Sequence, residues 1–150
     1  MDKVIQTTQI HGTCVAIDNA AVLLLGPPGS GKSDLALRLI DDGATLIADD
    51  RVDLSAEDKS LIATPPQNIA GLIEVRGIGI AKIEHAVEGI VVCVFEMTPP
   101  DHIQRLPTPI SWKALNCRVP LIRLNPFAAS ACAKIRLAVR NLEHTTLIDP

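Results

Sequence analysis

The 150-residue sequence contains no Cys-x-x-Cys pair. Cys14, Cys93, Cys117 and Cys132 stand far apart, a spacing that gives no zinc site and leads us to expect reduced, mostly buried thiols of a cytoplasmic protein. A basic surplus is also missing: the formal net charge is −3, which excludes a general surface for nucleic acid or anionic lipid and leaves any nucleotide to a local site. No basic segment followed by an apolar one opens the chain, and no apolar run approaches the roughly 20 residues of a membrane-spanning helix, because Asp18-Asn19 and the glycines interrupt the longest candidate. Internal repeats, low-complexity tracts and an interdomain linker are absent as well. What remains is a chain with 47% hydrophobic residues, enough for one substantial core and most simply one domain.

Against that background one stretch is dense with meaning. Gly26-Pro27-Pro28-Gly29-Ser30-Gly31-Lys32-Ser33 matches G-x-x-x-x-G-K-[ST], the pattern in which backbone N–H groups surround nucleotide phosphates, the Lys reaches the β and γ phosphates, and the Ser hydroxyl takes Mg²⁺. Its flanks agree. Ala20 to Leu25 is an uninterrupted apolar run, and Asp34 to Ile40 has the apolar spacing of an amphipathic helix, so the loop sits between strand and helix as a phosphate-binding loop (P-loop) does.

Around it, Thr13 to Ile17 and Ala20 to Leu25 read as a hairpin turned by Asp18-Asn19. Pairing Ile17 with Ala20 sets His11 opposite Gly26 at the loop mouth, though a His before a strand is also an ordinary surface residue. Gly43 stops the helix, and Thr45 to Ala48 is a short buried strand that ends in Asp49-Asp50. A parallel crossover delivers these carboxylates to the edge that carries the loop, where such an acid serves Mg²⁺ or accepts a substrate proton; the plain alternative is two turn aspartates. Val52 to Leu54 and Leu61 to Ala63 flank the polar tract 55–60 as a second hairpin, which makes the central sheet mixed. Leu72 to Ile80 reads as an apolar strand with Glu74 and Arg76 embedded and glycines after them, a pattern of charges facing a site or of a solvent-facing edge. Ile90 to Glu96 is a central strand, 99–109 an irregular segment, and Val119 to Leu124 a strand with Pro120 near its start. Ala129 to Leu142 is a helix with Lys134, Arg136 and Arg140 on an exposed basic side.

Taken together, His11-Gly12, the loop, Leu46-Ile47-Ala48-Asp49-Asp50-Arg51-Val52 and Ile73-Glu74-Val75-Arg76-Gly77-Ile78-Gly79-Ile80 closely resemble the catalytic domain of bacterial HPr kinase/phosphorylase. That bifunctional family phosphorylates a serine of the phosphocarrier HPr and removes the phosphate again. The resemblance is strong from His11 to Ile80 and weak beyond, and the chain looks like the catalytic domain alone, without the additional N-terminal domain of full-length members. It implies an α/β fold with a P-loop core and mixed central sheet related to phosphoenolpyruvate carboxykinase, ATP and Mg²⁺ as cofactors, an HPr-like carrier of the phosphotransferase system as partner, and a homo-oligomer, hexameric in full-length relatives. By the same resemblance Asp50 takes the serine proton in the kinase direction and returns it in reverse, His11 and Lys32 accompany it, Ser33 and Glu74 hold Mg²⁺, and Ile73 to Lys82, with Arg76, Gly77 and Gly79, serves both directions. Arg105, in an Arg-Leu context after the central strand, matches the family's later catalytic Arg by position. One departure stands out: the family's basic loop for dephosphorylation is replaced by Asn125-Pro126-Phe127-Ala128-Ala129, which bears on the reverse reaction. Two other functions fit a P-loop chain of this size, a nucleotide-binding sensor without transfer and a small-molecule kinase. A sensor needs neither His11 nor Asp50, and a small-molecule kinase needs a lid and an Arg-rich acceptor pocket for which the chain has little room.

Overall fold

Two strands that bend at the same level organise the molecule. In the computed structural model, which describes residues 5–142, β1 (Gln6–His11) runs into β2 (Thr13–Ile17) through Gly12, and β4 (Thr45–Ala48) runs into β5 (Arg51–Glu57) through Asp49-Asp50. The bent strands lie antiparallel along their whole length: β2 pairs with β4, β1 with β5, and Gly12 N–H donates to Asp50 O at 3.1 Å between the two ladders. The remaining strands of the nine-stranded sheet are β3 (Ala20–Leu25), β6 (Ser60–Thr64), β9 (Gly89–Met97), β10 (Ile110–Ala114) and β11 (Cys117–Leu124), in the path β1-β5-β6-β9-β3-β2-β4 with β10 and β11 alongside β9. Because β1 continues β2 and β4 continues β5, the path curls until its ends meet along the bent ladder. The sheet is mixed, as expected: β3 runs parallel to β9, and β9 parallel to β11.

Both faces of the central strands are covered, which is why β3 reads as continuously apolar rather than alternating. Val22 and Leu24 point to the layer shared with α1 (Lys32–Asp41) and α2 (Ala131–Asn141), together with Leu35, Leu39, Phe95 and Ile135. Ala21 and Leu23 point the other way, into the curl, against Ile47, Leu54, Leu61 and Val94. Fully burying one such Leu or Phe contributes about 1.5–3 kcal/mol, so each layer is a substantial source of stability. The four cysteines are free thiols, three of them buried; burial raises the Cys14 thiol far above its ordinary range and pushes Cys93 up to about 12. Among the described residues no helix is long and apolar enough to cross a membrane.

Local chemistry sets the boundaries. Asp18-Asn19, Asp58-Lys59 and Leu115-Asn116 all have positive φ and close two-residue hairpins whose twist matches the strands they join. The second of these replaces the polar loop expected over 55–60: both strands continue until only Asp58-Lys59 remain between them. Helix α1 ends as its Gly43 signalled, with φ 111°, Gly43 N–H on Ile40 O and Ala44 N–H on Leu39 O, a Schellman closure. Strand β10, between the irregular segment 99–109 and the strand expected from Val119, was not expected, because its turn, with Leu115 at φ 51°, is not a turn dipeptide. Pro120 sits in β11 just before pairing with β9 begins at Leu121, where its missing N–H costs no bond to β9.

Three expectations are corrected. The β2–β3 register holds from Ile17–Ala20 to Thr13–Leu24, but the chain bends away at Gly12, so His11 pairs with Arg51 of β5 and not with Gly26. The run Leu72 to Ile80 is no single strand: β7 (Leu72–Val75) and β8 (Gly79–Lys82) form a separate two-stranded hairpin, reversed through Arg76-Gly77-Ile78 with Gly77 at φ 88° and Ile78 N–H on Val75 O. On α2, Arg136 does not belong to the exposed basic side; it is 18% exposed and pairs with Asp42 at 2.6 Å, fixing α2 to the end of α1.

The bend at Gly12 also yields a stability prediction. A Cβ there meets Leu25 Cδ2 at 2.8 Å and Leu24 O at 3.2 Å. Gly12→Ala is therefore expected to cost about 1–3 kcal/mol by overpacking, read as a lower midpoint in chemical denaturation; an unchanged midpoint would show that the bend is slack.

Candidate active site

The glycine-rich loop leaves β3 at the sheet edge where parallel β9 and β11 also end. Its glycines are required by space as well as by torsion. At Gly26 a Cβ would lie 2.7 Å from Ser30 Oγ and 3.0 Å from Met97 Cβ; at Gly31, with φ 100°, it would lie 3.2 Å from the Phe127 ring. Ser30 N–H closes the loop on Pro27 O at 3.1 Å, while Ser30 Oγ is buried without a hydrogen-bond partner among the described residues. Pro27, Pro28 and Gly29 form the exposed crest. Lys32, the first residue of α1, folds its Nζ back onto Gly26 O at 2.6 Å and Pro27 O at 2.9 Å. Its pKa is lowered by partial desolvation, against which the negative charges of Asp49 and Asp50 act.

The two aspartates after β4 have opposite fates, as consecutive residues of an extended chain do. Asp49 is 5% exposed and accepts three hydrogen bonds. Its Oδ1 takes the Thr13 hydroxyl at 2.9 Å and the Ser33 hydroxyl at 2.8 Å, and its Oδ2 takes the Glu74 N–H at 3.1 Å. It thus joins β2, the start of α1 and β7. Asp50 turns outward. Arg51 N–H donates to Asp49 O at 2.9 Å across a single residue, so Asp50 is the centre of a γ-turn with φ 72°, a strained conformation of order 1–3 kcal/mol that neighbouring structure must hold. The ladder bond from Gly12 N–H does part of this holding. The Asp50 side chain is 78% exposed, with the Arg51 guanidinium 3.8 Å away.

His11 is exposed at the end of β1, one residue before the Gly12–Asp50 bond, so the bent ladder sets it across from Arg51, the residue after Asp50, and not opposite Gly26 as the expected register had it. Glu74 has its backbone on Asp49 and its side chain exposed on β7. Arg76 and Gly77 occupy the exposed turn of the hairpin, and Gly79 opens β8 opposite Val75. Arg105 lies exposed between the 3-10 turn at Pro100–His102 and β10, and makes no hydrogen bond or ion pair among the described residues.

Two residues escaped the sequence reading. Asp49 was legible as half of an acidic pair, but only burial separates its role from that of Asp50. Arg123 was passed over because a cation was sought in 125–129: it stands two residues earlier on β11, its Nε 3.3 Å from Glu96 Oε1, and Glu96 is the ladder partner of Leu25, next to the loop.

For a divalent cation the donors present are hard oxygens: the Ser33 hydroxyl, backed by Asp49, and the Glu74 carboxylate, whose backbone the same aspartate holds. Among the described residues no three His, Cys, Asp or Glu side chains gather as a ligand cage. A sparse oxygen set fits Mg²⁺, which is usually held by one or two protein groups together with phosphate oxygens and water.

Known proteins share this architecture. Residues 2–125 match the family model described as HPr Serine kinase C-terminal domain. HPr kinase/phosphorylase of Clostridium botulinum (strain Eklund 17B / Type B) is 43% identical over 82 residues, 55% of this chain and 27% of that protein; the protein of the same name from Limosilactobacillus reuteri (strain DSM 20016) is 42% identical over 84 residues, 55% and 26%. The matched region thus spans about a quarter of these relatives' length. The solved structure of the Hpr(Ser) kinase/phosphatase from Coxiella burnetii superposes with a TM-score of 0.81 at 28% identity, covering 92% of this chain and 97% of that one. On the model match and this shared fold, the chain belongs to the HPr Serine kinase C-terminal domain family.

Proposed function

We propose that this chain is an ATP- and Mg²⁺-dependent protein serine kinase that phosphorylates HPr or an HPr-like carrier of the phosphotransferase system, and that it also removes the phosphate with inorganic phosphate. The observation that carries the reading is the divergence of Asp49 and Asp50: one carboxylate is spent inward on the Ser33 hydroxyl, and the next is offered outward beside the loop. A protein that only bound nucleotide would need the first and not the second.

In this reading the backbone of 26–33 and the Lys32 ammonium hold the phosphates, Lys32 exchanging its loop carbonyls for β and γ oxygens. Ser33 and Glu74 hold Mg²⁺, which when bound neutralises charge on the phosphate oxygens. The acceptor serine Oγ attacks the γ phosphorus in line as the bond to the ADP oxygen breaks, and Asp50 takes the hydroxyl proton. In reverse, inorganic phosphate attacks phosphoserine, the serine oxygen leaves with the proton from Asp50, and pyrophosphate forms; one carboxylate serves both directions by microscopic reversibility. His11 stands beside Asp50 to tune it or to bind phosphate. Arg76, Gly77 and Gly79 shape the surface that meets the carrier, with Arg105, unpaired among the described residues, positioned to reach a phosphate. Ile78 and Ile80, 83% and 74% exposed on the same hairpin, support the homo-oligomer that the resemblance implies.

The experiment is incubation of the chain with Mg²⁺, ATP and a purified HPr-type carrier, with the modified residue located by fragmentation mass spectrometry. Serine phosphorylation is expected, followed by its loss when inorganic phosphate is added. ATP binding without carrier modification would replace the kinase reading with a nucleotide sensor.

A further inference from the structure

Thr13 is the one hydroxyl-bearing residue in the buried strand Thr13-Cys14-Val15-Ala16-Ile17, and packing gives no reason for it: a Val would fill the same space. Its hydroxyl has one acceptor, Asp49 Oδ1, and both partners are almost fully buried, at 1% and 5% exposure. We infer that Thr13 is a positioning residue for the metal side of the site, fixing the Asp49 carboxylate so that the Ser33 hydroxyl keeps its lone pairs turned toward the ligand. This deepens the proposed kinase reading and rests on it.

The argument runs through the three donors to Asp49. Ser33 is itself a ligand group, and a serine hydroxyl rotates freely about its C–O bond. The Glu74 N–H belongs to the β7–β8 hairpin, a sheet separate from the main one. Thr13 alone is built into the rigid framework: β3 holds it on one side through Leu24, and it lies opposite Asp49 between the His11–Arg51 and Cys14–Ala48 pairs of the bent ladder. Its branched Cβ stiffens χ1, so the hydroxyl is aimed without further restraint. While Oδ1 stays where Thr13 holds it, the Ser33 proton is directed inward to Asp49 and the Ser33 oxygen is left facing the loop. Without Thr13, the only donor left on Oδ1 is the rotatable Ser33 hydroxyl, so the carboxylate is free to turn about χ2 and the Ser33 hydroxyl turns with it. Outer groups of this kind typically change metal affinity 10–100-fold.

The test is ADP binding by isothermal titration calorimetry, in Mg²⁺ and in excess chelator, for the wild type, Thr13→Val, Thr13→Cys and Thr13→Ser. For Thr13→Val we expect an unchanged dissociation constant in chelator and a loss of about tenfold in the Mg²⁺-dependent gain of affinity. Thr13→Ser should restore most of that gain, and Thr13→Cys, which offers a weaker donor and no branch, should fall between. A purely structural Thr13 would lower the denaturation midpoint and leave the Mg²⁺-dependent gain intact, which overturns the inference. Should Thr13→Val not fold, a wild-type gain in Thr13→Cys overturns it equally. If the wild type itself shows no gain from Mg²⁺, the metal reading of the site fails, and this inference with it.

Discussion

Replacing Asp50 by Asn is expected to lower carrier phosphorylation by about 10²- to 10⁴-fold, the usual contribution of a positioned proton acceptor, while nucleotide affinity stays at the wild-type value. The substitution suits the site. Asn tolerates positive φ, so the γ-turn at φ 72° survives, and the side chain is 78% exposed, so no packing is lost. The Asp49 bonds to Thr13, Ser33 and Glu74 do not involve it. What disappears is a group able to take a proton, and the loss should appear in kcat and kcat/KM alike with little change in KM for ATP, the pattern of an interaction made only in the transition state. An equal loss of ATP affinity would move Asp50 into a structural or metal role.

The second large effect is expected at Lys32. Lys32→Met keeps the stem and removes the ammonium, so both nucleotide binding and transfer should fall, transfer by about 10²- to 10³-fold as for loss of one preorganised donor to a developing anion. Folding should be little affected, because the carbonyls of Gly26 and Pro27 that Nζ now holds lie at a partly exposed loop and water can replace it. A thermal midpoint close to wild type, beside strongly weakened ATP binding, is the expected pair of results. The pH dependence follows from the direction of the shift. Desolvation lowers the Lys32 pKa below its ordinary 10.5, so the ammonium is lost as pH rises through a value lower than that of a free lysine. The kcat/KM for ATP, which reports the free enzyme, should therefore decline on the alkaline side before ordinary lysine titration, and that limb should vanish in Lys32→Met. A limb unchanged in the variant would assign it to another group.

How far the site was legible depended on whether a feature is written locally. The loop 26–33, the Asp18-Asn19 turn and the Gly43 helix stop each have a short-range cause in torsion or hydrogen bonding, and the structure has them at the expected residues. His11 was placed next to the wrong partner because the continuation of a hairpin register assumes a straight strand, and nothing in the sequence alone says that Gly12 is where the strand turns toward β5. The glycines after Glu74 were noticed, yet close approach and chain reversal both call for glycine; only the pairing of Val75 with Gly79 decides between them. Asp49 and Asp50 are chemically identical in the sequence, and their roles separate only when β4 buries the first and the γ-turn exposes the second. Arg136 looked like part of a basic exposed face because helical periodicity does not show that Asp42 waits across from it.

The most direct measurement is the intact mass of an HPr-type carrier after incubation with this chain, Mg²⁺ and ATP, run beside a carrier whose acceptor serine is replaced by alanine. The account predicts one added phosphoryl group on the first carrier, none on the second, and none on either with Asp50→Asn. Nucleotide bound tightly while both carriers stay unmodified would contradict it, as would equal phosphorylation of the two.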